Sequence, residues 1–324
     1  MSLKRKKLIL YGTVQGIGLR PFVYKLAKEK SLTGRIYNNS DSTIIEVQGQ
    51  ENRVILFINE ILNSRLPGLT ISEYTLKSAK QIKEKEFIID SSKIKKAKKI
   101  SIPPDTAICD KCITELFAKS DRRYLYPFIS CSSCGPKYSV FCDFPYDRNN
   151  TSYGNFPLCK ECTSEYENPL NRRFHAENVS CSSCGPVYKF IDLVDNNRAN
   201  ETDPFARAAE IINDNGIIAF KDASGFKLLC SAFSNSAVSE LRDIKKRDKK
   251  PFAVMAKNLN VVLRYFDFTQ NESDGLLSYR KPVILLKIKK EFNKLFELIN
   301  PGLDRAGVML PVTAAHHVLF HYLN

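Results

Sequence analysis

The sequence predicts an α+β multidomain protein built from a split-βαβ unit, two four-cysteine zinc fingers and an α/β segment. Three features of its 324 residues carry that prediction. Apolar spacing near the N-terminus switches between strand and helix periods in the order β-α-β-β-α-β. A cysteine pattern then occurs twice, offset by fifty residues: Cys109-x2-Cys112, eighteen residues, Cys131-x2-Cys134, and Cys159-x2-Cys162, eighteen residues, Cys181-x2-Cys184. From Pro204 onward helix and strand patterns alternate.

The first expected domain covers residues 1–92. Residues 8–14 are rich in β-branched and aromatic side chains and predict a strand. A glycine-bearing loop follows, Gln15, Gly16, Ile17, Gly18 and Leu19, and Arg20-Pro21 opens a helix. Proline does no harm in a first helical turn, where its missing N–H has no intrahelical partner to lose. Phe22, Val23, Leu26 and Ala27 form the apolar stripe of that helix. Strands at 32–37 and 43–48 flank the polar turn Asn38-Asn39-Ser40-Asp41. A second helix carries Val54, Phe57, Ile58, Ile61 and Leu62, and strands near 71–76 and 87–89 close the unit. This order is the split-βαβ, ferredoxin-like arrangement.

Residues 93–104 are expected to be a linker, rich in Lys and ending in Pro103-Pro104, which forbids a helix there. The zinc region is expected over 105–192. A C-x2-C turn presents two thiolates on one side of a tight loop, and zinc takes four sulfur ligands tetrahedrally. Eight of the ten cysteines are thereby assigned. Four protein ligands per ion leave no open position, so both sites are expected to be structural. Each repeat is expected to close its own site, because a short loop doubles back at little entropic cost. His175 lies six residues before Cys181 but is not needed as a ligand, and is expected to support the site or line a domain surface. Cys142 and Cys230 lie outside the pattern and are expected as small buried hydrophobes.

The third domain is expected over 201–324. Helices are predicted at 205–215, 236–246 and 259–265, and strands at 216–220, 226–230, 252–256 and 283–287. The chain then stops without a closing strand, so it is expected to end inside this domain. His316 and His317 are adjacent, so they cannot face one metal from a helix and are expected to be structural or interfacial.

The formal net charge is +14, with peaks at 93–99 and 245–250. Such a balance suits nucleic acid, an anionic surface or small anionic substrates. No run approaches the ~18 apolar residues of a membrane span, and no signal peptide is seen. Thiols arranged for zinc, without an export signal, point to the cytoplasm. A basic zinc-finger protein gripping nucleic acid is one reading of these facts. Against it, the aromatic residues beside the cysteines are as easily core residues.

In the loop from Gln15 to Leu19 successive amides can converge on an anion at a helix N-terminus, and Arg20 adds a planar fork for phosphate oxygens. Val14-Gln15-Gly16 with Arg20-Pro21-Phe22, and Gly34-Arg35-Ile36-Tyr37-Asn38 downstream, resembles the acylphosphatase family. The resemblance implies that Arg20 and the loop hold the phosphate while Asn38 orients the attacking water. No strong general base is then required, because an acyl phosphate is already activated.

The whole combination resembles the HypF family, the carbamoyltransferases of nickel–iron hydrogenase maturation. The residues that carry it include Arg122-Arg123-Tyr124, Pro145-Tyr146-Asp147-Arg148 and Arg172-Arg173-Phe174-His175, all beside the cysteines. The third segment then resembles the start of a YrdC-like domain. That implies an ATP site, with magnesium, at Lys221, Lys245, Arg247 and Lys250. It further implies carbamoyl phosphate as substrate. The carbamoyl group would pass to the C-terminal cysteine of a HypE-type partner, through a domain beyond Asn324, towards a cyanide ligand. Lys227 stands where the family usually has histidine, and Ser231 where it has aspartate. A remnant with generic acylphosphatase activity is the alternative within this resemblance.

Overall fold

The computed structural model describes residues 3–92, 102–192 and 203–323. The basic peak at 93–99, most of the expected linker, and the polar stretch before Asp203 lie outside the described residues. By compactness the chain divides into two units, residues 1–106 with 129–185, and residues 107–128 with 186–324.

The first unit is built on β1 (Leu3–Thr13), α1 (Leu19–Glu29), β2 (Thr33–Asn38), β3 (Ser42–Gln50), α2 (Glu51–Leu62), β4 (Thr70–Ser78) and β5 (Phe87–Ile89). The sheet order is β4-β1-β3-β2-β5, antiparallel except where β5 runs parallel to β2. In register, Leu8 faces Ile45 and Leu10 faces Thr43. Alternate residues Leu8 and Leu10 pack with Ile36, Ile45 and Val47 against Val23 and Leu26 of α1 and Val54, Phe57 and Ile61 of α2. Placing one helix stripe on one sheet face is the arrangement the periodicities imply.

Strand β1 starts earlier than its apolar run, because its basic stretch is paired. Arg5 is buried and bonds Glu46 at 3.0 Å, and Glu84 also pairs with it. Arg35 joins Glu46 from β2 at 3.0 Å. Charged residues with such partners can sit in a sheet that hydropathy alone would leave out.

The helices α3 (Asp110–Phe117) and α4 (Lys160–Glu167) occupy equivalent places in the cysteine repeat, each capped by the first cysteine of a pair and carrying the second. In the first unit the chain between Ile129 and Gly185 is otherwise mostly turns and 3-10 segments.

The second unit continues with α5 (Pro204–Asn213), the hairpin β6 (Ile218–Asp222) and β7 (Gly225–Leu229), and α6 (Asn235–Lys245). After these come β8 (Ala253–Met255), α7 (Leu259–Tyr265), β9 (Phe266–Asp267), α8 (Gln270–Leu277), β10 (Ile284–Ile288), α9 (Asn293–Phe296), β11 (Arg305–Met309) and α10 (Ala314–Tyr322). A four-stranded sheet has the order β8-β11-β10-β9, with β11 parallel to β8 and antiparallel to β10. Strand β11 was not expected from its small residues, yet Ala306 and Val308 are fully buried at the centre of the sheet. Helix α8 was also missed. Its apolar stripe is short, and it is started by a capping box in which Thr269 and Glu272 bond each other's backbone N–H.

Candidate active site and zinc centres

The loop between β1 and α1 is shaped by glycines in the left-handed region. Gly16 has φ +67 and Gly18, the residue capping α1, has φ +77. A Cβ on Gly16 would lie 2.8 Å from the Tyr146 ring, so that ring packs directly on the loop backbone. Gln15 is engaged on all sides. Its Nε2 donates to Asn39 O (2.6 Å) and Ser42 O (3.3 Å), and its Oε1 accepts from the Tyr146 amide at 3.2 Å. Gln15 therefore clips the loop to the β2–β3 turn and leaves its side chain no free donor.

Arg20 sits in the first turn of α1 and Asn38 ends β2, and both line one narrow cavity of about 20 Å³. Gln15, Gly16, Gly18 and Leu19 line it too, whereas Ile17 packs in the core below. Asn38 is 1% exposed. Its Oδ1 lies 3.0 Å from Thr43 Oγ1, which fixes the amide orientation, while its Nδ2 has no hydrogen-bond partner among the described residues. A buried donor left open costs free energy unless something accepts from it. The cavity has room for roughly one water by the measure in which a water needs ~10–15 Å³.

The sequence had not suggested the rest of the wall. Lys137, Tyr146, His175, Glu177 and Asn178, all from the stretch between Cys134 and Cys181, close the cavity. Arg20 Nη2 donates to Glu177 Oε1 at 2.7 Å and to Asp147 Oδ1 at 3.0 Å. Burial opposes the charge on Arg20, but Glu177 and then Asp147 hold its pKa above the ordinary value.

His175 does line a surface, but it is the wall of this cavity. Burial, with Arg20 beside it, pushes its pKa down to about 4. Between about pH 6.5, where an unfolded histidine takes up its proton, and about 4, the unfolded chain binds a proton that the folded chain refuses. This group therefore destabilises the fold as pH falls through that window and has no effect above it. Urea unfolding at pH 7, 6 and 5 is expected to show stability falling with pH. His175→Asn, which tolerates the residue's φ of +48, is expected to remove up to about one proton from the slope. An unchanged slope would contradict this assignment.

The eight expected cysteines form two clusters, Cys109, Cys112, Cys131, Cys134 and Cys159, Cys162, Cys181, Cys184, so each repeat closes on itself. Within each cluster all four Sγ atoms lie within 4.8 Å of one another. In the second, Cys159 and Cys181 are 3.7 Å apart, Cys181 and Cys184 3.8 Å, and Cys162 and Cys184 3.6 Å. Tetrahedral zinc with ~2.3 Å bonds sets sulfur atoms about 3.8 Å apart, so the thiols fit that ion. These are two four-cysteine zinc-binding sites. Cys142, by contrast, is exposed and not the buried hydrophobe expected: Phe141 and Phe144 pair at 4.7 Å and Tyr146 is buried beside Phe141, leaving the thiol outside. Cys230 is partly buried.

In the second unit Lys221 lies on β6, exposed, 5.3 Å from the Phe226 ring centroid. Lys245 ends α6 and Lys250 precedes β8, both exposed, while Arg247 lies over the Phe252 ring at 5.3 Å. The residue that holds this loop is Arg242. It is buried, and it donates to Arg247 O (2.7 Å), Asp248 O (3.2 Å) and Leu298 O (2.6 Å). Lys227 pairs with Asp222, which also bonds His316 Nε2 at 3.2 Å. His316 Nδ1 accepts from the Val312 amide at 3.3 Å, so its proton is placed on Nε2, facing Asp222. These bonds hold Asp222 far below the usual carboxylate range despite its burial. His316 is thus held at both ring nitrogens.

The Acylphosphatase family matches residues 6–89, and the family described as Sua5_yciO_yrdC, telomere recombination, matches residues 210–324. Residues 108–141 and 158–191 each match the HypF finger. The chain is 40% identical over 313 residues to the probable carbamoyltransferase HypF of Methanocaldococcus jannaschii, covering 95% of this chain and 40% of that protein. A solved HypF, in its phosphate- and nucleotide-bound form, superposes over 100% of this chain with a TM-score of 0.91 and 36% identity. Over nearly its whole length the chain is similar to part of HypF. Its acylphosphatase segment is also 31% identical to the acylphosphatase of Staphylococcus haemolyticus over 74 residues, 83% of that protein. The chain spans about 40% of the length of the HypF relative from M. jannaschii and 42% of the solved HypF chain.

Proposed function

We propose that this chain carries the carbamoyl-phosphate-hydrolysing site of a HypF-type reaction. The observation that supports it most is the unpaired Nδ2 of Asn38 in the same cavity as Arg20 and the glycine loop. The loop amides and Arg20 would take the phosphate group, and Asn38 would hold the attacking water by its oxygen. Water adds across the acyl phosphate, the bond to phosphate breaks, and carbamate and inorganic phosphate leave. Positioning and charge stabilisation suffice for so activated a substrate.

The carbamate then reacts with ATP, as its magnesium complex, to give carbamoyl adenylate and pyrophosphate. Lys221, Lys245, Arg247 and Lys250 are the residues proposed to meet the nucleotide phosphates. Arg242, anchored to three backbone carbonyls around it, would hold that loop in place. Transfer to the C-terminal cysteine of a HypE-type partner completes the reaction, in the cytoplasm. Zinc takes no step in this scheme and holds the middle of the chain in shape. Among the described residues no helix is long and apolar enough to cross a membrane.

Phosphate release from carbamoyl phosphate tests the hydrolytic step. Asn38→Ala is expected to lower kcat by about 100-fold, the effect of losing one well-aimed donor. Melting is expected to stay near that of the wild type. An unchanged rate would remove Asn38 from the mechanism.

A further inference from the structure

We propose that Glu177 is a positioning residue for Arg20, which makes the loop of the second finger part of the acyl-phosphate site as well as a zinc-bound brace. The inference rests on the hydrolytic reading above. Glu177 lies between Cys162 and Cys181, 157 residues from Arg20 in sequence, and is 4% exposed. Both its carboxylate oxygens are committed. Oε1 accepts from Arg20 Nη2 at 2.7 Å, and Oε2 accepts from Tyr166 Oη at 2.7 Å and from the Arg148 amide at 2.9 Å. The Arg148 guanidinium donates in turn to the backbone carbonyls of Glu177 (2.9 Å) and Val179 (2.8 Å). Besides Arg20, two donors therefore hold the carboxylate, and a third holds the residue's backbone.

The consequence for Arg20 is geometric. Glu177 and Asp147 both bond Nη2. A guanidinium carries five N–H donors, so the Nε–H and both N–H groups of Nη1 remain without partners among the described residues. Arg20 is one of the residues that line the cavity. An unrestrained arginine would distribute itself over many rotamers. One pinned at Nη2 presents its other donors in a single orientation, ready for phosphate oxygens. Tyr166 and Glu177 both belong to the span closed by the second zinc cluster, so the same loop that brackets the metal fixes the arginine.

The rival role for a carboxylate here is competition, in which Glu177 occupies the guanidinium until phosphate displaces it. Kinetics separate the two. Glu177→Gln, Glu177→Asp and Tyr166→Phe would be compared with the wild type for phosphate release from carbamoyl phosphate. Inorganic phosphate serves as inhibitor, with zinc content and melting temperature measured alongside. Positioning predicts that Glu177→Gln raises both KM and the phosphate inhibition constant by about tenfold with a smaller change in kcat. Tyr166→Phe should move them the same way by less, and Glu177→Asp should restore part of the loss. A fall in KM and in the inhibition constant for Glu177→Gln overturns the proposal in favour of competition. Unchanged kinetics in a folded, zinc-loaded variant overturn it too, and leave the hydrolytic reading standing. If Glu177→Gln does not fold, Tyr166→Phe decides alone, and wild-type constants there overturn the proposal. A wild type that releases no phosphate overturns both.

Discussion

Arg20→Ala is expected to lower phosphate release from carbamoyl phosphate by about 10²–10³-fold and to destabilise the first unit by roughly 3–5 kcal/mol. Both effects come from one geometry. The Arg20 side chain is 10% exposed and faces Glu177, whose side chain is 3% exposed, so its removal leaves a buried carboxylate with its main counter-charge gone. Breaking such a pair from one side costs far more than the pair contributes when intact. The catalytic loss has a different origin, the missing donors towards phosphate. Arg20→Lys separates them. A lysine keeps the charge beside Glu177 and Asp147 but has no planar fork, so stability should largely return while activity does not. Urea unfolding and phosphate release on the same preparations check this. A lysine variant with wild-type turnover would show that charge alone is enough.

Cys162→Ser is expected to lower bound zinc from two ions per chain to one and to unfold the second finger. Cys162 is fully buried and its Sγ lies 3.6 Å from Cys184 Sγ. Structural zinc contributes on the order of 10 kcal/mol to the folding of small finger peptides, more than the whole stability of a typical domain. Within a larger unit part of that is retained by packing, so a fall of several kcal/mol is expected. The effect should reach the cavity lined by Arg20 and Asn38, because Tyr166, His175, Asn178 and Glu177 all lie between Cys162 and Cys181. Metal analysis, thermal unfolding and protease cleavage near residues 160–185 measure it. Retention of two zinc ions, or cleavage no faster than in the wild type, would contradict the assignment. Chelation of the wild type should remove both ions and also speed cleavage of this segment.

Part of the site was legible because its signals are local. The thiol spacing is a short-range pattern whose chemistry admits few alternatives, and Arg20 and Asn38 were reached through the family resemblance carried by the residues beside them. Other features are local but weakly coded. Helix α8 follows its capping residue Thr269 and opens on a polar run, and β11 is built from small residues around Gly307, where a Cβ would come 3.0 Å from Val283. Periodicity cannot find either, since one has little apolar stripe and the other little bulk. The basic cluster at 245–250 drew attention through its charge, yet the residue that organises it is the buried Arg242.

The sequence by itself determined that this chain has two four-thiolate centres and a glycine loop that runs into a helix start at Arg20, within an α+β chain. Zinc geometry and helix-start chemistry depend on residues a few positions apart, so spacing encodes them. Only the tertiary structure decided that Arg20 is held by Glu177 and Asp147, and that His175 and Lys137 wall the same cavity. A buried guanidinium selects its counter-charges through space, where sequence separations of 157 and 127 residues have no pattern to read. The same reason hid the role of the second finger, whose eighteen-residue loop looks like a spacer until its carboxylate is seen bonded to the arginine.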